Sequence, residues 1–399
     1  MDIDGAPLLT TPITEAILKG AVELEITPHG WLPHRLPAWA RRQSGDPQLL
    51  MAESQPSGIR LVFQSEATVI ELDVVPTRRI YVGFPERPPG IYDLMVDGQP
   101  FGQASANGGN TISIDIASGT VTKIGGPVAT VRFDGLTAQR KMLEIWLPFN
   151  ETSELVGLRT NAPIEPTTER KPVWLHHGSS ISQGSNADRP SAIWPALVAR
   201  HGGLDLVNLG FGGSALLDPF TARTMRDIPA DFISLKLGIN LVNTDVMRLR
   251  AFGPAVHGFL DTLRDGHPDT PLLIISPLYC PIHEDTPGPG AFDFDALSKG
   301  NIAFRATGKE EEKAQGKLTL TVIRNELSRI VRERSLTDPN IHYLDGLALY
   351  GPADFEELPL PDRLHPDAAT HRRIAERFTR SAWGDGGAFA STKNTQVST

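Results

Sequence analysis

The chain has 399 residues, 40% hydrophobic and 21% charged, enough for two domains with cores of their own and ordinary for a soluble globular protein. A formal net charge of −9 without any Lys/Arg block argues against nucleic-acid and anionic-membrane partners. The single cysteine, Cys280, excludes an internal disulfide and a multi-cysteine metal site, and no run approaches the roughly 20 apolar residues of a membrane span.

The start, MDIDGAPLLTTPITEAIL, has acidic residues where a secretory leader needs basic ones, so a cytoplasmic protein is expected. A short helix is conceivable over 13–18, and no other helical period stands out before 160. Instead apolar residues alternate: Ile59, Leu61, Phe63; Ile70, Leu72, Val74; Ile80, Val82, Phe84; Ile112, Ile114, Ile116. Period two buries one face of each strand, and Asp97-Gly98 and Ser118-Gly119 are turn formers between such runs. The expectation is a β-sandwich over 1–165. The Pro- and Thr-rich stretch NAPIEPTTERKP (161–172) has no periodicity and marks the domain boundary.

Beyond it the rhythm changes. Continuous apolar strands are predicted at 173–175, 204–209, 232–237, 272–276 and 341–344. Helical patterns fall at 193–200, 246–263, 318–334 and 366–382. Strands alternating with helices imply a parallel sheet covered on both faces, an α/β domain over 166–384. The end, 385–399, reads as a disordered tail.

Ligands of open α/β sheets bind at the carboxyl ends of strands, and each end here carries something chemical. The first leads into HHGSSISQG, with Ser179, Ser180 and Ser182. The second ends in Asn208-Leu209-Gly210-Phe211-Gly212-Gly213, the third in Gly238-Ile239-Asn240, and after the fifth comes Asp362-Arg363-Leu364-His365-Pro366. A serine, backbone and amide donors, and an Asp three residues before a His are the parts of acyl transfer. Pro366 suits the first position of a helix, which would set His365 at its positive end. Taken singly, each block has a plain structural reading: a connection, a turn, a buried amide, a helix cap. The residues alone leave the three serines open as nucleophile.

In this order the four blocks resemble the SGNH (GDSL-type) hydrolase family. Its Gly-Asp-Ser-Leu corresponds to Gly178-Ser179-Ser180-Ile181, with Ser179 in place of the Asp and Leu241 after Asn240 where many members have Asp. The resemblance implies a flavodoxin-like three-layer α/β/α hydrolase domain and a triad of Ser180, His365 and Asp362. It further implies an oxyanion hole from the Ser180 and Gly213 N–H groups with the Asn240 amide, and no metal or organic cofactor. The wording around 176–219 is similar to a branch with an N-terminal, jelly-roll-like β-sandwich, and PPGIYDLMVDGQPFG (88–102) resembles a segment of such N-domains.

The 281–316 stretch, rich in Pro, Gly and charge, reads either as a binding wall or as a disordered insertion. Cys280, His283, Phe292, Phe294 and Phe304 are candidate substrate contacts, although Cys280 fits a buried inert thiol equally well. His283-Glu284-Asp285 are adjacent and do not converge on one ion, so no metal is assigned. The expected partner is a small-molecule ester, with a homo-oligomer compatible. The expected activity is a serine esterase removing a small acyl group, with acyl transfer or non-catalytic carbohydrate binding as the alternatives.

Overall fold

Period-two sequence builds the first part of the chain. The computed structural model describes residues 7–115 and 118–390; Ile116 and the segment from 391 onward lie outside them. Strand Ile70–Tyr81 pairs with Thr152–Thr160 and Ala129–Phe133 in an eight-stranded sheet, and Lys141–Trp146 pairs with Arg60–Ser65 and Ile91–Val96 in a six-stranded one. Alternate residues of both sheets (Ile70, Leu72, Val74; Leu61, Phe63; Leu143, Ile145) enter one core and are fully buried, each such side chain contributing about 1.5–3 kcal/mol of transfer free energy. This is a β-sandwich.

The helix expected over 13–18 is a turn, closed by the Ile17 and Leu18 N–H groups on the Thr14 carbonyl, that runs into strand Leu18–Lys19. Conversely, helices Ala38–Ser44 and Pro47–Ser54 stand where no helical period was evident, because seven or eight residues are too few turns to show one.

Continuous apolar strands build the second part: β1 (Val173–Gly178), β2 (Asp205–Gly210), β3 (Phe232–Lys236), β4 (Leu272–Ile275) and β5 (Ile341–Leu344). All pair in parallel, in the order β2-β1-β3-β4-β5 of doubly wound sheets. Side-chain alternation along β1 fixes the layers. Trp174 and His176 face one way, where Trp174 meets Trp194, Phe378 and Trp383 of helices Trp194–Gly202 and Ala368–Trp383. His177 faces the other way and stacks on Phe259 of helix Leu249–Gly266.

By compactness the chain divides into two units, each discontinuous in sequence. One holds the sandwich: the described residues to Pro37, Glu53–Lys171 and Arg189–Ser191. The other holds the parallel sheet: Ala38–Ala52, Pro172–Asp188 and the described residues from Ala192. Within the second unit, Arg223 lies over the Trp39 ring at 4.9 Å and donates to the Gln43 side chain, fastening 38–52 to helix Pro219–Asp227. Residues 385–390, expected to begin a disordered tail, are ordered: Phe389 is fully buried and packs on Phe232 and Trp383 at 5.0 Å. A single aromatic ring, which composition underweights, anchors them. No described helix is long and apolar enough to cross a membrane.

Candidate active site

β1 ends in Gly178, and the chain turns at Ser179 into the short helix Ser180–Gln183. Of the three serines, Ser182 is fully buried with its Oγ 2.8 Å from His176 Nε2, and the Ser179 Oγ is buried with no partner among the described residues. Ser180 is partly exposed, and its Oγ lies 3.0 Å from His365 Nε2. His365 Nδ1 is 2.7 Å from Asp362 Oδ2. The other Asp362 oxygen accepts the backbone N–H groups of Leu364 (2.9 Å) and His365 (2.7 Å), which closes the turn and aims the imidazole. Burial acts to raise the Asp362 pKa. The hydrogen bond and charge of His365, with those two backbone donors, outweigh it and hold the carboxyl below its usual range.

Helix Ala368–Trp383 starts later than expected. Asp367, not Pro366, ends the loop, its side chain capping the Thr370 N–H at 2.8 Å. His365 therefore stands outside the helix, with Asp362 as the partner of its Nδ1.

Gly213 has φ +75°, which only glycine adopts without strain, and its N–H has no partner among the described residues. The preceding residue is gripped on both sides: the Gly212 N–H donates to Gln183 Oε1 at 2.7 Å, and the Gly212 carbonyl accepts from Gln48 Nε2 at 2.8 Å. A trans peptide points its N–H opposite its C=O, so Gln48 fixes the direction of the Gly213 donor. Asn240, buried at the start of helix Ile239–Thr244, accepts the Ala215 N–H on Oδ1 at 3.1 Å, leaving its NH₂ as the donor end. Neither Gln48 nor Gln183 was visible as functional in sequence, because their partners are set by the fold. A glutamine that donates to a carbonyl 164 positions away has no local signal.

The remaining candidates separate. Phe304 packs edge-on to His365 with centroids 5.6 Å apart, and Phe292 lies 5.0 Å from Phe304. Phe294 is 66% exposed and makes no ring contact among those described. His283 is fully buried, with Nδ1 3.1 Å from the Thr286 carbonyl, and Glu284 pairs with Arg324. Cys280 is buried; its thiol donates to the Arg363 carbonyl at 3.4 Å, and burial pushes its pKa up to about 12. That thiol braces the triad turn instead of reacting. With it, Lys236 lines a small cavity walled by Ile181, Ile239, Leu364 and Pro366. The lysine has no hydrogen-bond or ion-pair partner among the described residues, and burial lowers its pKa to about 8.

Residues 170–280 match the GDSL-like lipase/acylhydrolase family. This segment is similar to the GDSL-type (SGNH) hydrolases. Among solved structures, the chain is similar to the salicylyl-acyltransferase SsfX3 from a tetracycline biosynthetic pathway, at 28% identity over 98% of this chain and 99% of that one, with a TM-score of 0.77. It shares its fold with a GDSL-like lipase candidate from Bacteroides ovatus (20% identity, 93% and 96% covered, TM-score 0.64). A family two carbohydrate esterase from Cellvibrio japonicus also shares it (11%, 94% and 97%, 0.55). No curated protein sequence matches the chain.

Proposed function

We propose that the protein is a serine esterase that works through an acyl-enzyme on Ser180. The observation that carries this reading is the unbroken chain Ser180 Oγ–His365 Nε2, His365 Nδ1–Asp362 Oδ2, at 3.0 and 2.7 Å. His365 takes the Ser180 proton as Oγ attacks the ester carbonyl, then returns it to the alcohol oxygen as that bond breaks. Water repeats the cycle in reverse to release the acid. Asp362 holds the imidazole tautomer and balances its transient charge. The N–H groups of Ser180 and Gly213 and the Asn240 amide receive the oxyanion. A small acyl group, such as acetyl on a sugar or natural product, is the proposed substrate.

Acyl transfer to an alcohol uses the same residues. Full-length similarity to a salicylyl-acyltransferase favours it as the second reading. Fluorophosphonate labelling with peptide mapping tests the enzyme. A single adduct on Ser180, lost in Ser180→Ala and slowed in His365→Ala, is expected, and a folded protein that takes no label would overturn the reading. Product analysis with and without acceptor alcohols divides hydrolysis from transfer.

A further inference from the structure

The segment 281–316 is an ordered structure built onto the triad turn. Strands Gly290–Phe292 and Phe304–Ala306 form a hairpin with Phe292 directly opposite Phe304. The Phe304 N–H donates to the Asp362 carbonyl at 3.0 Å, and Asp293 pairs with Arg363 at 2.8 Å. These ties hold the Phe304 ring against the His365 imidazole, 78° between planes, with Phe292 extending the surface outward. Both rings remain partly exposed.

The chemistry says which half of an ester meets them. Once His365 Nε2 holds the serine proton, it must reach the oxygen of the departing alcohol to deliver it. The alcohol therefore lies beside the imidazole, while the carbonyl oxygen faces Gly213 and Asn240. The side chain packed on that imidazole borders the alcohol, and by microscopic reversibility it also borders any acceptor alcohol.

We propose that Phe304 and Phe292 form the binding wall for the alcohol half of the ester, and that this alcohol carries its hydroxyl on or next to a ring with a flat apolar face. The inference rests on the serine-esterase reading. An aryl ring and the C–H face of a pyranose both supply such a face; a short open-chain alcohol does not.

The test compares kcat/KM for acetate esters of primary alcohols of similar acidity: benzyl, cyclohexylmethyl and a 6-O-acetyl pyranoside against hexyl. The wild-type enzyme is expected to prefer at least one ring ester by on the order of tenfold, the worth of an aromatic contact. Preference for benzyl or for the pyranoside names the source. Phe304→Ala and, one ring removed from the imidazole, Phe292→Ala should each reduce the ring-to-hexyl ratio. A displaced His365 would slow both ester types alike and leave the ratio intact, so an unchanged ratio in both variants overturns the wall. So does a wild-type enzyme without ring preference. Absence of fluorophosphonate labelling at Ser180 is the separate result that defeats the esterase itself.

Discussion

The turn that carries Ser180 is anchored from beneath, through buried neutral groups, whereas the turn that carries His365 is anchored from outside, through the 290–306 hairpin. Under the serine, Trp174 Nε1 donates to Ser234 Oγ (2.9 Å), His176 Nδ1 lies 2.7 Å from that same oxygen, and His176 Nε2 reaches Ser182 Oγ. Asn208 donates to the Ser182 carbonyl at 2.9 Å, and His371 Nε2 lies 3.1 Å from the Ser185 carbonyl. Burial drives the pKa of His176 well below its usual value and that of His371 down to about 4, so both stay neutral. Around the histidine, Arg363 sits at φ +65°, and the ties are an ion pair half in water, one backbone bond and one thiol. Ser180 is thus tied to the core, so disturbing its turn should cost stability. His365 is tied to a peripheral hairpin, so disturbing its turn should cost activity first.

That contrast can be broken or sharpened. The largest effect is expected for Asp362→Asn, which keeps the shape but removes the charge that selects the tautomer; kcat should fall by about 10⁴ with little change in melting temperature. Gly213→Ala comes next. Its backbone at φ +75° costs an alanine about 1–2 kcal/mol. A Cβ there would lie 3.1 Å from Gln48 Nε2, so the donor shifts. Loss of one oxyanion donor predicts a drop of about 10²–10³ in kcat, read by steady-state kinetics on an activated acetate ester.

The pH dependence of stability probes the interior anchor. His371 is neutral when folded, and in the unfolded chain it titrates near 6.5. As pH falls below 6.5 the unfolded state takes the proton first, so this contribution is full above 6.5 and is lost on the way to pH 4. Urea unfolding at pH 7.5 and 5 should show roughly 2 kcal/mol of loss from this group, absent in His371→Gln. An identical pH response in the variant would remove His371 as an anchor. The smallest effect is expected for Asp293→Asn, which keeps the cap on the Asp295 and Ala296 N–H groups and removes the charge that pairs with Arg363. Freeing Arg363 should lower kcat about two- to fivefold and leave the unfolding midpoint in place, in keeping with an exposed ion pair. A large fall in stability instead would mean that the hairpin belongs to the core after all.

What could be read in advance follows the reach of each signal. The five parallel strands were legible because whole runs such as Phe232–Lys236 are buried on both faces, and the alternation at Ile70, Leu72 and Val74 announced a sandwich. The blocks at the strand ends were legible as short local motifs, but only their resemblance to the family pattern singled out Ser180 among the three serines, with His365 and Asp362 as its partners. Helix Pro47–Ser54 was too short to show a period, and the helix after His365 began two residues late because Asp367 caps better than Pro366 starts. The order within 281–316 escaped because composition rich in Pro, Gly and charge describes a loop equally well. Only the pairing of Phe292 with Phe304 and the anchor on Asp362 reveal it.

Gln48 has a consequence for how such chains can be cut and recombined. It belongs to a segment that interrupts the sandwich in sequence, between Trp31–His34 and Arg60–Ser65, yet it holds the Gly212 carbonyl just after β2. A fragment begun at residue 166 would retain Ser180, Asp362, His365, Gly213 and Asn240 and still lack that grip. Shuffling the two halves among relatives at the 161–172 linker would likewise part the glutamine from its carbonyl. The segment 38–52 and the parallel sheet must be inherited together, so exchanging the sandwich takes at least three breakpoints, at 37/38, 52/53 and 171/172, rather than one.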